Sequence, residues 1–276
     1  MILNCNGQLL DLSTPKVMGI LNLTPDSFYD GGKYVDNDSA LQHAAEMIAE
    51  GADIIDIGGM SSKSGATIIP ADVETLRVIP VIKAIHSAFP KALISIDTIH
   101  ATTANAAVEA GASIVNDISG GDYDKAMFST VAKLGVPFIA MHMRGTPETM
   151  QSLTHYEEVV TEVYNDLKEK LLQCKAAGIK DVILDPGFGF AKTVGQNFIL
   201  LNQLNVFNTL QVPLLAGLSR KSMVTKTLHI SKEEALNGTT VLNTIALING
   251  ANILRVHDVK QAKEAVQLFC ALHQTA

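Results

Sequence analysis

Glu50-Gly51-Ala52-Asp53-Ile54-Ile55-Asp56-Ile57-Gly58 holds the unit from which the chain is built. Glu50 ends an amphipathic stretch that begins at Ser39, and Gly51 stands where a helix stops, since glycine enters the left-handed conformation without strain. A short β-branched run follows without polar alternation, as a parallel strand covered on both faces reads. A carboxylate and glycines sit at its end.

Reading outward, the same junction recurs at Ala110-Gly111-Ala112, Ala177-Gly178-Ile179 and Asn249-Gly250-Ala251. These precede the apolar runs Ser113–Asn116, Val182–Leu184 and Asn252–Val256. Val17–Leu23, Asp53–Ile57, Leu93–Ile96, Pro137–Met141 and Pro213–Leu218 complete the set of eight. Between and after them lie helical stretches at Ser39–Glu50, Asp72–Ala88, Thr102–Ala110, Asp124–Leu134, Tyr156–Ala177, Gln196–Asn205, Lys232–Asn249 and Val259–Ala271. From Met18 to Ile253 is 235 residues over seven intervals, about 34 per unit, the size of a βα module. A doubly wound open sheet would gather its chemistry at one switch point. Here chemical residues follow nearly every strand, so the sequence predicts one α/β domain over residues 1–276, a (β/α)8 TIM barrel. Residues 1–15 form a short N-terminal β-hairpin with Gly7 at its turn. The loops Thr24–Asp38, Gly58–Pro70 and Arg144–His155 are the longest insertions.

Composition narrows the classes. At 47% hydrophobic and 18% charged residues, the 276-residue chain has material for a full core, which excludes disorder for its bulk. Its 21 basic against 28 acidic residues give −7, which argues against a nucleic-acid partner held by phosphate contacts. Cys5, Cys174 and Cys270 form neither a CxxC pair nor a disulfide framework. No apolar run approaches the ~20 residues of a membrane helix, and the N-terminus lacks the pattern of a secretory signal. The expectation is a soluble cytoplasmic protein.

In a barrel the residues after each strand point into one mouth. In order they are Asn22, Asp56, Asp97, Asn116 with Asp117, His142 with Arg144, Asp185, Arg220 with Lys221, and Arg255 with His257. Lys63, Arg220, Lys221, Arg255 and His257 would converge there and suit a phosphate or diphosphate. The carboxylates and amides suit a flat heterocycle with paired N–H donors, because a carboxylate accepts two parallel hydrogen bonds. No Ser/His/Asp set, P-loop or HExxH motif accompanies them, so nucleophilic catalysis by the protein is not indicated. Plainer readings stand beside these. Asp117 could be a helix cap, Asp56 a buried structural carboxylate, His142 a polar loop residue, and Met18, Met141 and Met143 barrel packing. His43, His86, His100, His229 and His273 read as surface residues.

Met18-Gly19-Ile20-Leu21-Asn22-Leu23-Thr24-Pro25-Asp26-Ser27-Phe28, followed by Asp30-Gly31-Gly32, closely resembles the first signature of the dihydropteroate synthase family. The resemblance continues through Ile96-Asp97-Thr98, Val115-Asn116-Asp117-Ile118, Met141-His142-Met143, Leu184-Asp185-Pro186-Gly187-Phe188-Gly189-Phe190, Leu218-Ser219-Arg220-Lys221-Ser222 and Arg255-Val256-His257-Asp258. It covers essentially the whole chain. It implies a homodimeric barrel that joins p-aminobenzoate to 6-hydroxymethyl-7,8-dihydropterin diphosphate in folate synthesis, and a sulfonamide target. Under it Asp97, Asn116, Asp185 and Lys221 hold the pterin edge, with Met141 and Phe190 packing near the ring. Arg255 and His257 meet the diphosphate, and Asn22 helps bind Mg²⁺. Thr24, Ser62, Lys63, Gly217 and Ser222 complete the substrate contacts. Asp97, Asp185, Lys221, Arg255 and His257 carry the catalysis.

One departure stands out. Where the family usually has Gly-Gly-Glu-Ser-Thr-Arg-Pro-Gly-Ala, this chain has Gly58-Gly59-Met60-Ser61-Ser62-Lys63-Ser64-Gly65-Ala66. Lys63 loses the bidentate fork of an arginine, and Ser64 loses the rigidity of a proline. The expected result is retained activity with altered p-aminobenzoate and sulfonamide affinity. Two rival functions remain: a pterin-binding methyltransferase barrel, which has no need of a diphosphate pocket, and a pterin-binding paralogue without turnover.

Overall fold

The computed structural model describes residues 1–24 and 37–274. Its strands are β1 (Ile2–Cys5), β2 (Gln8–Asp11), β3 (Lys16–Asn22), β4 (Ile54–Gly58), β5 (Leu93–Asp97), β6 (Ile114–Asp117), β7 (Phe138–Met141), β8 (Val182–Asp185), β9 (Leu215–Ala216) and β10 (Ile253–Val256). Its helices are α1 (Asn37–Ala49), α2 (Ala71–Ala88), α3 (Ala101–Glu109), α4 (Met127–Leu134), α5 (Val159–Ala177), α6 (Val194–Asn202), α7 (Ser222–Leu228), α8 (Leu236–Ile248) and α9 (Val259–Gln274). Strands β3 to β8 pair in parallel in chain order, β10 lies beside β3, and β9 beside β10. Leu184 of β8 bridges Leu214, its N–H donating to the Pro213 carbonyl at 2.9 Å, and so closes the eight strands into a barrel.

The pleat decides which residues reach the mouth. Side chains alternate in direction along a strand. One set, including Val17, Ile55, Ile94, Val115, Phe138 and Leu254, packs under the helices. The other begins at the barrel floor, where Met18, Ile54, Leu93, Ile114, Ile139, Ile183, Leu215 and Ile253 supply one residue per strand. Leu3, Cys5, Leu10 and Leu12 of the hairpin seal this layer from below. The hairpin turns at Asn6 and Gly7, both at positive φ, the conformation that suits the twist of a two-residue turn. Two residues further along the strands, the inward positions are Asp56, Ser95, Asn116, Met141, Asp185, Gly217 and Arg255. The barrel therefore changes from dry to polar within one pleat.

The elements differ from the sequence reading mainly at their ends. Helix α4 starts at Met127 rather than Asp124, because Asp124 is used as a cap: Ala101 N–H donates to its Oδ2 at 2.8 Å and Ala126 N–H to its Oδ1 at 2.9 Å. β9 keeps only two residues of the expected Pro213–Leu218 run. Helix α7 was not expected. The Pro25–Gly32 part of the first signature lies outside the described residues. Among the described residues, no helix is long and apolar enough to cross a membrane.

Candidate active site

Three strands that are distant in sequence meet at one guanidinium. Arg255 donates from Nε to Asp56 Oδ2 at 2.6 Å and from Nη2 to Asp97 Oδ2 at 2.7 Å. Asn116 Nδ2 donates to the same Asp56 oxygen at 3.1 Å. Asp56 is fully buried and its Oδ1 has no partner, so the carboxylate depends on Arg255 for its charge. Burial raises Asp97 to about 7, partly offset by Arg255 and reinforced by Asp56. The plainer reading of Asp56 was right about its burial, yet it also fixes Arg255 and Asn116.

Opposite these groups, Asp185 ends β8 and accepts the Gly187 N–H at 2.8 Å through Oδ1. Burial raises its pKa, and the Lys221 ammonium opposes the shift. The Lys221 chain runs between Gly189 and Gly217, where a Cβ would stand 3.1 and 3.7 Å from its side-chain atoms. Its Nζ donates to the Phe188 carbonyl and lies 4.7 Å from the centre of the Phe190 ring. Desolvation lowers Lys221 to about 8, with Asp185 holding it up. Met141 and Phe190 close the apolar side, in a cluster with Met60, Ile99, Met143 and Met150. Asp97, Asn116, Asp185, Lys221, Arg255 and Gly217 thus share one mouth, as expected.

His257 stands at the rim. Its backbone N–H donates to Ser219 Oγ at 3.2 Å, and Ser219 Oγ lies 3.0 Å from its Nδ1, which leaves Nε2 directed away from this pair. Desolvation and then Arg255 lower the ring to about 4, although much of it still reaches solvent. Without a ligand the ring is therefore neutral, and a bound anion would raise it. Asn22 pairs in register with Gly58, and Gly58 with Asp97. A Cβ at Gly58 would stand 3.6 Å from both Asn22 Oδ1 and Asp97 Oδ2, so the missing side chain leaves a notch between two oxygen donors. That is a donor set suited to a hard cation.

Other expected residues are placed differently. Arg220 does not face the mouth: its Nε and Nη2 grip Asp258 at 2.9 and 2.7 Å and its Nη1 meets the Lys232 carbonyl at 2.8 Å. Lys63 is exposed, and its ammonium forms no ion pair among the described residues. Ser62 is half-buried and Ser222, the first residue of α7, is exposed. Thr24 is buried at the edge of the undescribed segment. Asp117 points outward and ties a turn, accepting from Ser119 and Gly121 N–H at 2.7 and 2.9 Å. It is a turn residue rather than a helix cap. His142 is buried against Lys192, its Nδ1 2.8 Å from the ammonium. His100 is half-buried, bonding Ile69 O at 2.9 Å, rather than a free surface residue. Lys192, Ser219 and Asn197 were missed. The one signal for Lys192 was a lysine two residues past the glycine-rich turn Gly187–Phe190 that follows β8.

The family profile described as "Pterin binding enzyme" matches residues 18–257. The dihydropteroate synthase of Escherichia coli strain K12 is 43% identical over 270 residues, covering 97% of this chain and 95% of its own length. The Yersinia pestis dihydropteroate synthase, solved as a sulfonamide drug complex, superposes with a TM-score of 0.94 at 40% identity, covering 99% of this chain and all of that one. The Xanthomonas albilineans dihydropteroate synthase with 4-aminobenzoic acid gives 0.92 at 39% identity, covering 99% and 98%. Matched over nearly its whole length in sequence and in barrel fold, this chain belongs to the dihydropteroate synthase family of pterin-binding enzymes.

Proposed function

We propose that the chain condenses p-aminobenzoate with 6-hydroxymethyl-7,8-dihydropterin diphosphate, giving 7,8-dihydropteroate and diphosphate. The observation that carries this is the convergence of Asp97, Asn116, Asp185 and Lys221 on one barrel mouth, which presents acceptors and donors to a flat heterocycle's edge. The Asp97 and Asp185 carboxylates accept from the ring N–H and amino groups and favour the electron-poor CH₂ as diphosphate departs. Arg255 orients Asp97, and its Nη1, without a hydrogen bond among the described residues, remains to meet the anion. His257 donates from Nε2 to the same leaving group. Preformed donors aimed at developing charge lower the barrier without reorganisation. The p-aminobenzoate nitrogen is neutral at pH 7, attacks the CH₂ without a strong protein base, and gives up its proton to water or the departed diphosphate once the C–N bond has formed.

Asn22 Oδ1, beside the notch at Gly58, would hold Mg²⁺. When bound, the ion would neutralise part of the diphosphate charge. Ser62, Lys63, Ser222 and Thr24 would complete the side on which p-aminobenzoate, and by likeness to the Yersinia pestis complex a sulfonamide, binds. Val241, Ile245 and Ile248 form an exposed stripe on α8, and Ile199 of the adjoining α6 is exposed as well. This is the face through which we expect two copies to pair. Three free cysteines fit a reducing cytoplasm.

The test is diphosphate release from the purified protein with Mg²⁺ and 6-hydroxymethyl-7,8-dihydropterin diphosphate, with and without p-aminobenzoate. Release that requires p-aminobenzoate and yields dihydropteroate is expected. Pterin binding without release would instead establish a silent paralogue.

A further inference from the structure

The turn after β8 carries Phe190 and follows directly on Asp185, and its backbone is held from beneath by a lysine that the mechanism above does not use. Lys192 is 5% exposed. Its Nζ lies 2.8 Å from His142 Nδ1, 3.0 Å from the Gly187 carbonyl and 3.0 Å from the Phe190 carbonyl. An ammonium has three N–H groups and no acceptor, so these three partners satisfy it completely. The rest of the turn is equally committed. Gly187 N–H goes to Asp185, Gly189 N–H to Asn197 Oδ1 at 2.7 Å, and the Phe188 carbonyl to Lys221. At Gly187, with φ of +69°, a Cβ would stand 2.0 Å from the His142 carbonyl, so the turn lies hard against β7's end.

We propose that Lys192 is a positioning residue of the pterin site: with His142 as its anchor, it fixes the Gly187–Phe190 turn so that Asp185 and the Phe190 ring stand where the pterin needs them. A merely structural lysine would be a poor choice here. Burying an ammonium costs free energy that an apolar side chain of like length avoids, and desolvation already lowers Lys192 to about 7. What the ammonium supplies, and a methionine cannot, is simultaneous donation to two carbonyls of the same turn. Lys192 touches no substrate position itself and acts through Asp185 and Phe190. The inference deepens the proposed function by naming what sets the affinity of its pterin site.

The test measures equilibrium binding of 6-hydroxymethyl-7,8-dihydropterin diphosphate by calorimetry without p-aminobenzoate, beside steady-state constants. Lys192→Met, folded by circular dichroism and assayed well below its melting temperature, should bind the pterin at least tenfold more weakly. Its KM for p-aminobenzoate should stay within about twofold. Pterin affinity within twofold of wild type in the folded variant would overturn the proposal, whatever the change in melting temperature. Should Lys192→Met not fold, His142 supplies the second pair. His142→Leu removes the anchor and should weaken pterin binding severalfold. His142→Asn places an amide oxygen near the Nδ1 position and should restore it. Equal affinities for these two variants and wild type would also overturn the assignment. Wild type that binds pterin but does not turn over would count against the proposed reaction and leave the positioning role standing. Wild type that binds no pterin would sink both.

Discussion

Arg255 holds Asp56 and Asp97 at once, Nε on one carboxylate at 2.6 Å and Nη2 on the other at 2.7 Å, although the three residues come from β10, β4 and β5. Two carboxylates share one cation, so with both ionised the trio carries a net −1. Burial and Asp56 keep Asp97 above the usual carboxylate range even with the guanidinium beside it. Arg255 therefore serves first as the clamp of the carboxylate layer. The anion of a substrate meets a cation that is already compensated, so His257, Lys221 and a metal would have to share its charge.

This predicts separable effects on stability and activity. Arg255→Met leaves Asp56 buried without a counter-charge and should destabilise by about 3–5 kcal/mol, while abolishing turnover. Adding Asp56→Asn removes the orphaned charge and should recover much of the stability but none of the activity. Thermal melts with parallel assays check this. Arg255→Met melting like wild type would show that Asp56 does not rely on it.

The exposed α8 stripe makes a prediction about assembly. Ile245 is flanked at helical spacing by Val241 and Ile248, all solvent-facing in the single chain. Ile245→Arg should shift sedimentation from dimer to monomer without lowering the melting temperature of the monomer. A wild-type monomer at micromolar concentration, or an unchanged dimer in the variant, would reject this face. Leu268 and Leu272 on α9 would then be the next stripe to test.

Most of the fold was legible because parallel strands covered on both faces leave unmistakable apolar runs, four of which follow a helix-stop glycine at Gly51, Gly111, Gly178 and Gly250. The inward positions were legible too. Period-two alternation from Met18, Ile54 or Ile253 leads directly to Asn22, Asp56 and Arg255. What could not be read was where a long side chain ends. Arg220 and Lys221 are neighbours, yet Arg220, at φ +53°, turns to Asp258 while Lys221 enters the mouth. Asp117 and Asn116 likewise part to opposite faces of one strand. Lys192 escaped because its anchor, His142, is 50 residues away and is brought to it only where β7 and β8 pair, and because a lysine's reach back to carbonyls of its own turn leaves no mark in the sequence.

The departure at Met60–Ser64 divides on the same ground. Met60 is 8% exposed and belongs to the apolar cluster of Ile99, Ile118, Met141, Met143 and Met150. Ser62 is half-buried and Lys63 exposed, in a loop pinned by Gly65 N–H on the Pro147 carbonyl at 2.9 Å. Met60→Glu alone should therefore destabilise by about 1–3 kcal/mol, because a carboxyl would enter an apolar pocket. The triple change Ser62→Thr, Lys63→Arg, Ser64→Pro should leave stability nearly unmoved and alter p-aminobenzoate KM and sulfonamide inhibition by severalfold. Unmoved constants in the triple variant would mean that the loop does not reach the substrate.

The same mouth predicts a bell-shaped pH dependence. Asp97 is raised to about 7 by burial, so its acceptor form is lost as pH falls below that value. Asp185 is also raised by burial and loses its acceptor form on the same side. Desolvation lowers Lys192 to about 7 and Lys221 to about 8, so both ammonium groups are lost as pH rises through that range. The acid and the alkaline changes both weaken the hold on the pterin edge, and kcat/KM for the pterin diphosphate should peak near pH 7, its limbs reporting the free protein. The apparent values belong to the coupled site as a whole. Lys221→Arg should move up the alkaline ionisation near 8, since a guanidinium keeps its proton there, and leave the one near 7 that belongs to Lys192, with the acid limb fixed. If the ionisation near 8 stayed in place, Lys221 would not be the group that titrates.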